Sequence, residues 1–137
     1  MKTIKSVMTN FPYSIEIENH LRSAKRMMEQ FKIHHLPVKS AEGYTGLLTE
    51  RDVQLAADLG IMDSGEILVG DVCRKDAYVV SSEASLADVL EYLAQTHDDS
   101  VLVVENHKLV GIFTTTDACR YYAKELRERE DGGSQES

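Results

Sequence analysis

Apolar residues along this chain fall into short blocks whose spacing changes in a set order, and that order is run through twice. Leu21, Ala24, Met28 and Phe31 recur at helical steps, as do Leu86, Val89, Leu90 and Leu93, so each group predicts an amphipathic helix with one buried stripe. Asn19 and Ser85 precede these helices as candidate N-caps, since a side-chain oxygen there can accept from an unpaired N–H of the first turn. Two apolar blocks of strand length follow each helix. They are Leu36 to Lys39 then Thr45 to Leu48, and Val101 to Val104 then Leu109 to Phe113, with Glu42-Gly43 and Asn106-His107 between them at hairpin length. A further helix closes each set, Arg51 to Leu59 and Asp117 to Arg129. A short helical turn opens each, Ile4 to Met8 and Ile67 to Cys73, and leads into a short strand, Ala77 to Val80 in the second set. The pattern predicts an α+β fold in which β-α-β-β-α occurs twice.

Sliding the chain against itself by 65 residues aligns the two sets without an insertion. Val7 falls on Val72, Tyr13 on Tyr78, Leu21 on Leu86, Val38 on Val103, Gly46 on Gly111, Thr49 on Thr114 and Asp52 on Asp117. The chain therefore reads as a duplicated unit, residues 1–65 and 66–129, followed by a polar segment, 130–137, that is expected to fray. A unit of roughly 60 residues buries too little surface to stand by itself, so the two copies should pack their sheets together about a pseudo-twofold axis.

Composition narrows the function classes. With 42% apolar and 28% charged residues the chain is expected to fold, and a net charge of −8 disfavours general electrostatic binding to nucleic acid. No apolar run approaches the ~20 residues of a membrane span. The N-terminal residues lack a signal-peptide core, which predicts a cytoplasmic protein with Cys73 and Cys119 as free thiols. His34 and His35 are adjacent, so on a strand they point to opposite faces and do not share an ion readily; no metal site is expected. No nucleophile elbow, phosphate-cradling glycine loop or paired-carboxylate arrangement is present, and catalysis is not predicted.

The segment Ile33-His34-His35-Leu36-Pro37-Val38, followed by Gly46-Leu47-Leu48-Thr49-Glu50-Arg51-Asp52, resembles the CBS domain, the module named after cystathionine β-synthase. Ser100-Val101-Leu102-Val103-Val104 and Gly111-Ile112-Phe113-Thr114-Thr115-Thr116-Asp117 repeat the resemblance, and Val7-Met8-Thr9 is similar to the start of many first repeats. It covers residues 1–125, as in a stand-alone CBS pair or Bateman module with no room for an attached catalytic domain. The resemblance implies a regulatory module that binds an adenosine-containing ligand (AMP, ADP, ATP or S-adenosylmethionine, with or without magnesium) in clefts between the repeats. It implies a homodimer that acts on a protein target, although some members bind nothing known and serve only dimerisation or docking. By the same resemblance Thr49 and Thr114 lie near phosphate and Asp52 and Asp117 on ribose hydroxyls. The base then lies by Tyr13 and Ile15 in one cleft and by Tyr78 and Val80 in the other, where a tyrosine either stacks on adenine or fills the core, and His35 either lines a cleft or stands at a strand edge.

The residues themselves agree with either of two readings. Unpaired N–H groups of a first helical turn, with a hydroxyl, can hold a phosphate, and an ionised aspartate accepts the two donors of a ribose diol. Equally, Thr49 and Thr114 can be helix caps, with the aspartates complementing the helix dipole. Arg51, with His34 and His35 nearby, makes the first copy's cleft the expected better one for several phosphates, because the second copy carries no charge after Asp117 until Arg120. Met27-Met28 with Phe31, and Leu90 with Leu93, suit either a dimer interface or the chain's own core.

Overall fold

Two hairpins and the helices packed on them build the molecule. The computed structural model, which describes residues 1–136, has strands β1 (Thr9–Asn10), β2 (Ile15–Glu16), β3 (His35–Ser40), β4 (Gly43–Thr49), β5 (Val79–Val80), β6 (Ser100–Glu105) and β7 (Lys108–Thr114). The helices are α1 (Leu21–Phe31), α2 (Glu50–Asp58), α3 (Val69–Val72), α4 (Leu86–Thr96) and α5 (Thr115–Glu136), with 3-10 turns at Ile4–Ser6 and Ile61–Ser64. β3 and β4 form an antiparallel hairpin with β2 parallel to β3; β6 and β7 form its equivalent with β5 parallel to β6.

Successive strand residues point to opposite faces, which sorts the apolar blocks into layers. Leu36, Val38 and Leu48 turn towards Leu21, Ala24 and Met28 of α1 and Val53 and Ala56 of α2, forming a first core. Val101, Val103 and Phe113 form a second with Leu86, Val89 and Leu93 of α4. From the other faces, Leu47, Leu102 and Ile112 meet in a third cluster that joins the two sheets. Both faces of each hairpin are covered, so the strands read as continuous apolar blocks instead of alternating.

The spatial units are not the sequence halves. Ile4, 0% exposed, belongs to the second core, and its equivalent Val69 belongs to the first. The backbone shows the same exchange: Ile4 N donates to Ala84 O and Leu86 N to Lys2 O, while Val69 N donates to Asn19 O and Leu21 N to Ile67 O, all at 2.8–2.9 Å. β1 pairs with β7 through Thr9 and Ile112, and Arg74 pairs with Leu47 in the matching place. Each repeat's opening segment thus crosses over and completes the other repeat.

Local differences from the sequence expectations have physical causes. Ser85 caps α4, accepting from Asp88 N, but the position before α1 is His20, which makes no side-chain cap; Asn19 lies one residue too early, in the place of Ala84. The expected two-residue turn is present, with Asn106 and His107 both at positive φ. Its tip touches the other hairpin, where Tyr44 N donates to His107 O and a Cβ on Gly43 would lie 2.1 Å from that oxygen. α5 continues past Arg129 through Glu136, since Arg127 to Glu130 are good helix formers without a stop signal; Ser137 lies outside the described residues. Met28 and Leu93 are buried in the cores, Met27 and Leu90 pack against them, and Phe31 stacks on Tyr13, so these side chains serve the chain's own packing. The exposed large apolar side chains include instead Leu55 of α2 and Leu59 at its C-cap, Ile61, and Tyr122 and Leu126 of α5. No helix among the described residues is long and apolar enough to cross a membrane.

Candidate functional site

β4 and β7 each run directly into a helix, and the two junctions are built alike. Asp52 N donates to Thr49 Oγ1 at 3.2 Å and Thr49 N donates to Asp52 Oδ2 at 3.1 Å. In the second repeat Asp117 N donates to Thr114 Oγ1 at 3.1 Å and Thr114 N to Asp117 Oδ2 at 3.0 Å. The threonine–aspartate pairs are therefore reciprocal helix caps, and each aspartate retains its Oδ1 for another partner.

The crossed topology gives each junction a wall from the opposite repeat. Thr114, Thr116, Asp117 and Arg120 face Tyr13, Ile33, His34 and His35 across a cleft of about 390 Å³, the Thr114 cleft. Thr49 and Leu47 face Tyr78, Asp98, Asp99 and Ser100 across the equivalent space of about 220 Å³, the Thr49 cleft. Outside the latter a wider depression of about 820 Å³ opens between α2 and residues 97–99, where Arg51 stands beside Glu50 and Asp58. Tyr13 lies against Phe31 with ring centroids 4.1 Å apart, and Tyr78 against Tyr92 at 3.7 Å. Burial pushes the Tyr78 hydroxyl pKa up, with Tyr92 adding to the effect.

Ile15 and Val80, expected beside the base, turn inward. Ile15 is part of the first core and Val80 packs on the second, because the parallel pairing of β2 and β5 directs those side chains towards the helices. His35 does reach the clefts: its Nε2 lies 3.0 Å from Asp99 Oδ1 and joins the two repeats, while His34 Nδ1 contacts Glu50. His34 and His35 therefore do not stand with Thr49 alone, since both also line the Thr114 cleft.

The junctions differ in what meets Oδ1. Arg74 donates to Asp52 Oδ1 from Nη2 at 3.0 Å and from Nε at 3.3 Å, and the Asp52 side chain is only 12% exposed. The hydrogen bond that Arg74 donates to Asp52, then the Asp52 charge, pushes the Arg74 guanidinium pKa up. Among the described residues Asp117 Oδ1 has a loose neighbour, Arg120 Nη1 at 3.7 Å. The polar surroundings also run against the expectation that the first copy's cleft is the better one for phosphates. Asp76, Asp98 and Asp99 line the Thr49 cleft with Arg74, whereas Asp117 is the one carboxylate among the described residues lining the Thr114 cleft, which also include Lys32 and Arg120. Arg74, Asp99 and Lys32 escaped the sequence reading of the site. The 65-residue offset carried a signal for the first two, because it sets Arg74 on Thr9 and Asp99 on His34.

A profile of the CBS domain matches residues 4–57 and 69–124. Hypoxic response protein 1 of Mycobacterium tuberculosis is 26% identical over 122 residues, spanning 88% of this chain and 85% of that protein. Among solved structures, a Vibrio cholerae protein assigned to acetoin utilization (AcuB) superposes with a TM-score of 0.85 at 27% identity, covering 96% of this chain and 97% of that one. CBSX2, solved in complex with AMP, superposes with a TM-score of 0.79 at 23% identity, covering 92% and 99%.

Proposed function

Because the chain belongs to the CBS domain family, with two repeats in tandem, we propose that it is a sensor that binds an adenosine-containing ligand between its repeats and passes occupancy to a protein target through a homodimer. The observation that carries this reading is the strand-to-helix junction. A capped helix N-terminus presents a carboxylate oxygen, in the Asp117 copy, to a cleft whose far wall comes from the other repeat and carries an aromatic ring, Tyr13. Such a cleft can take a ribose diol on Asp117, a phosphate near Thr114, Thr116 and Arg120, and a base against Tyr13. CBSX2, of the same fold, is a precedent with AMP. Ligand held by both walls stabilises their closed arrangement only by its differential affinity for it, which is how occupancy becomes a signal. In this reading the chain has no catalytic role, and magnesium enters only as a companion of a polyphosphate.

The exposed pairs Leu55 with Leu59 and Tyr122 with Leu126, each one helical turn apart, support α2 and α5 as the dimer faces. A second reading, a ligand-free docking module, draws on the same junctions: both threonine–aspartate pairs are satisfied as caps by the chain itself. Thermal melting with AMP, ADP, ATP and S-adenosylmethionine separates the two, with oligomer mass recorded alongside. A ligand of the folded state at a hundredfold excess over Kd adds about 2.7 kcal/mol. A rise in melting temperature with one of them supports the sensor; no rise with any of the four supports docking.

A further inference from the structure

Resting on that adenosine-ligand reading, we propose that the chain takes one phosphorylated adenosine ligand, in the Thr114 cleft, and that Arg74 closes the Thr49 cleft as a built-in counter-ion for Asp52. The first ground is the valence of the carboxylates. Asp52 Oδ2 caps α2 and Oδ1 already accepts two N–H bonds from Arg74, so three of its roughly four acceptor sites are filled and the two donors of a ribose diol do not both find one. A ribose diol entering there would have to displace a two-pronged, charge-assisted pair. Asp117 Oδ1, by contrast, has no donor within hydrogen-bond distance among the described residues; Arg120, 77% exposed, stays at 3.7 Å.

The second ground is the tether. Arg74 exchanges both backbone hydrogen bonds with Leu47, Leu47 N to Arg74 O at 2.9 Å and Arg74 N to Leu47 O at 2.8 Å, so its side chain starts from a pinned point at the cleft. Thr9 occupies the equivalent point beside Ile112, and its side chain is too short to reach a carboxylate in the same way. The third ground is charge. A phosphate monoester carries about −1.5 to −2 at neutral pH; in the Thr49 cleft Asp76, Asp98 and Asp99 would repel it and the charge of Arg74 is already met by Asp52, whereas Lys32 and Arg120 would attract it in the other.

Calorimetric titration of the full chain with AMP, counting sites per chain, tests this. One site is expected in the wild type, with affinity falling at least tenfold in Asp117→Asn, which keeps the capping oxygen, and unchanged in Asp52→Asn. Arg74→Thr, which copies the residue at the equivalent point, should open a second site, and Arg74→Gln replaces it if the threonine variant fails to melt cooperatively. Two sites in the wild type, or one site lost in Asp52→Asn instead, would overturn the proposal while leaving the sensor standing. A single site in both Arg74 variants would overturn the role of Arg74. Absence of binding in every variant with AMP, and with ADP and ATP titrated in the same way, would overturn this inference; the ligand reading falls with it only if S-adenosylmethionine is silent as well.

Discussion

The Thr49 and Thr114 clefts share one backbone and one pair of helix caps, yet one is sealed by an ion pair among carboxylates and the other presents an open carboxylate among cations. The shared part is what a strand entering a helix requires for its first N–H groups. The differing part lies at lining positions, Arg74 against Thr9 and Asp99 against His34, where neither the cap nor the core constrains the residue. Duplicated geometry is thus compatible with unequal chemistry, and the comparison can be pressed at several points.

The largest effect is expected in the crossed segments. Ile4→Ala should destabilise the protein by about 2–5 kcal/mol, with Val69→Ala costing less because fewer carbons are removed, each in a single transition in urea. A change below about 1 kcal/mol for Ile4→Ala would mean that the opening segment is not part of the second core. Next come the two glycines of the repeated motif. A Cβ on Gly46 would lie 2.6 Å from the Arg74 carbonyl oxygen, which is backbone, whereas on Gly111 it would meet the flexible Met8 side chain at 2.3 Å. Gly46→Ala should therefore fall at the upper end of about 1–3 kcal/mol for overpacking and Gly111→Ala at the lower end; the reverse order in thermal melts would contradict the asymmetry.

Removing the caps should have a smaller and nearly symmetric effect. Asp52→Ala and Asp117→Ala are each expected to cost about 0.5–2 kcal/mol. Asp52→Ala should be the larger by at most about 1 kcal/mol, because its partner Arg74 is half exposed and screened by solvent. Denaturant midpoints of the two variants measure that difference directly. The smallest effect distinguishes the repeats by pH. Ser82 donates to Glu105 from N at 2.7 Å and from Oγ at 2.8 Å, and these bonds, backbone first, hold the Glu105 pKa below its ordinary 4.5. The first repeat has Ile17 and Ser40 in those places and no such pair. A depressed carboxylate pKa contributes stability that is complete above the ordinary value and is lost as pH falls through the folded one. Glu105→Gln should therefore lower stability slightly in the neutral range and remove the matching part of the acid-side loss below pH 4.5, so that the two proteins converge in acid; an unaltered acid limb would show that the bonds do not hold in solution.

Much of the architecture could be read from spacing. The hairpin at Asn106-His107, the helix stripes on Leu21 and Leu86, and the Thr49 and Thr114 junctions are local, set by strand alternation, helical periodicity and cap chemistry within a few residues. The site was legible in part. Tyr13, His35, Thr114 and Asp117 were named from the sequence and do line one cleft together, but Ile15 and Val80 were assigned to clefts and lie against the cores.

The chain's own order of residues determined that there are two repeats and where the longer helices and hairpins of each fall, and it offered a threonine and an aspartate at the last helix of each as caps or as ligand contacts. Only the tertiary structure decided that Ile4 belongs with Phe113 and Val69 with Leu48, that Tyr13 faces Asp117, and that Arg74 lies on Asp52. The physical reason is range: caps and periodicities act between neighbours a few residues apart, whereas the walls of a cleft are brought together by burying apolar faces that lie tens of residues apart, and the outcome of that packing is a property of the whole chain.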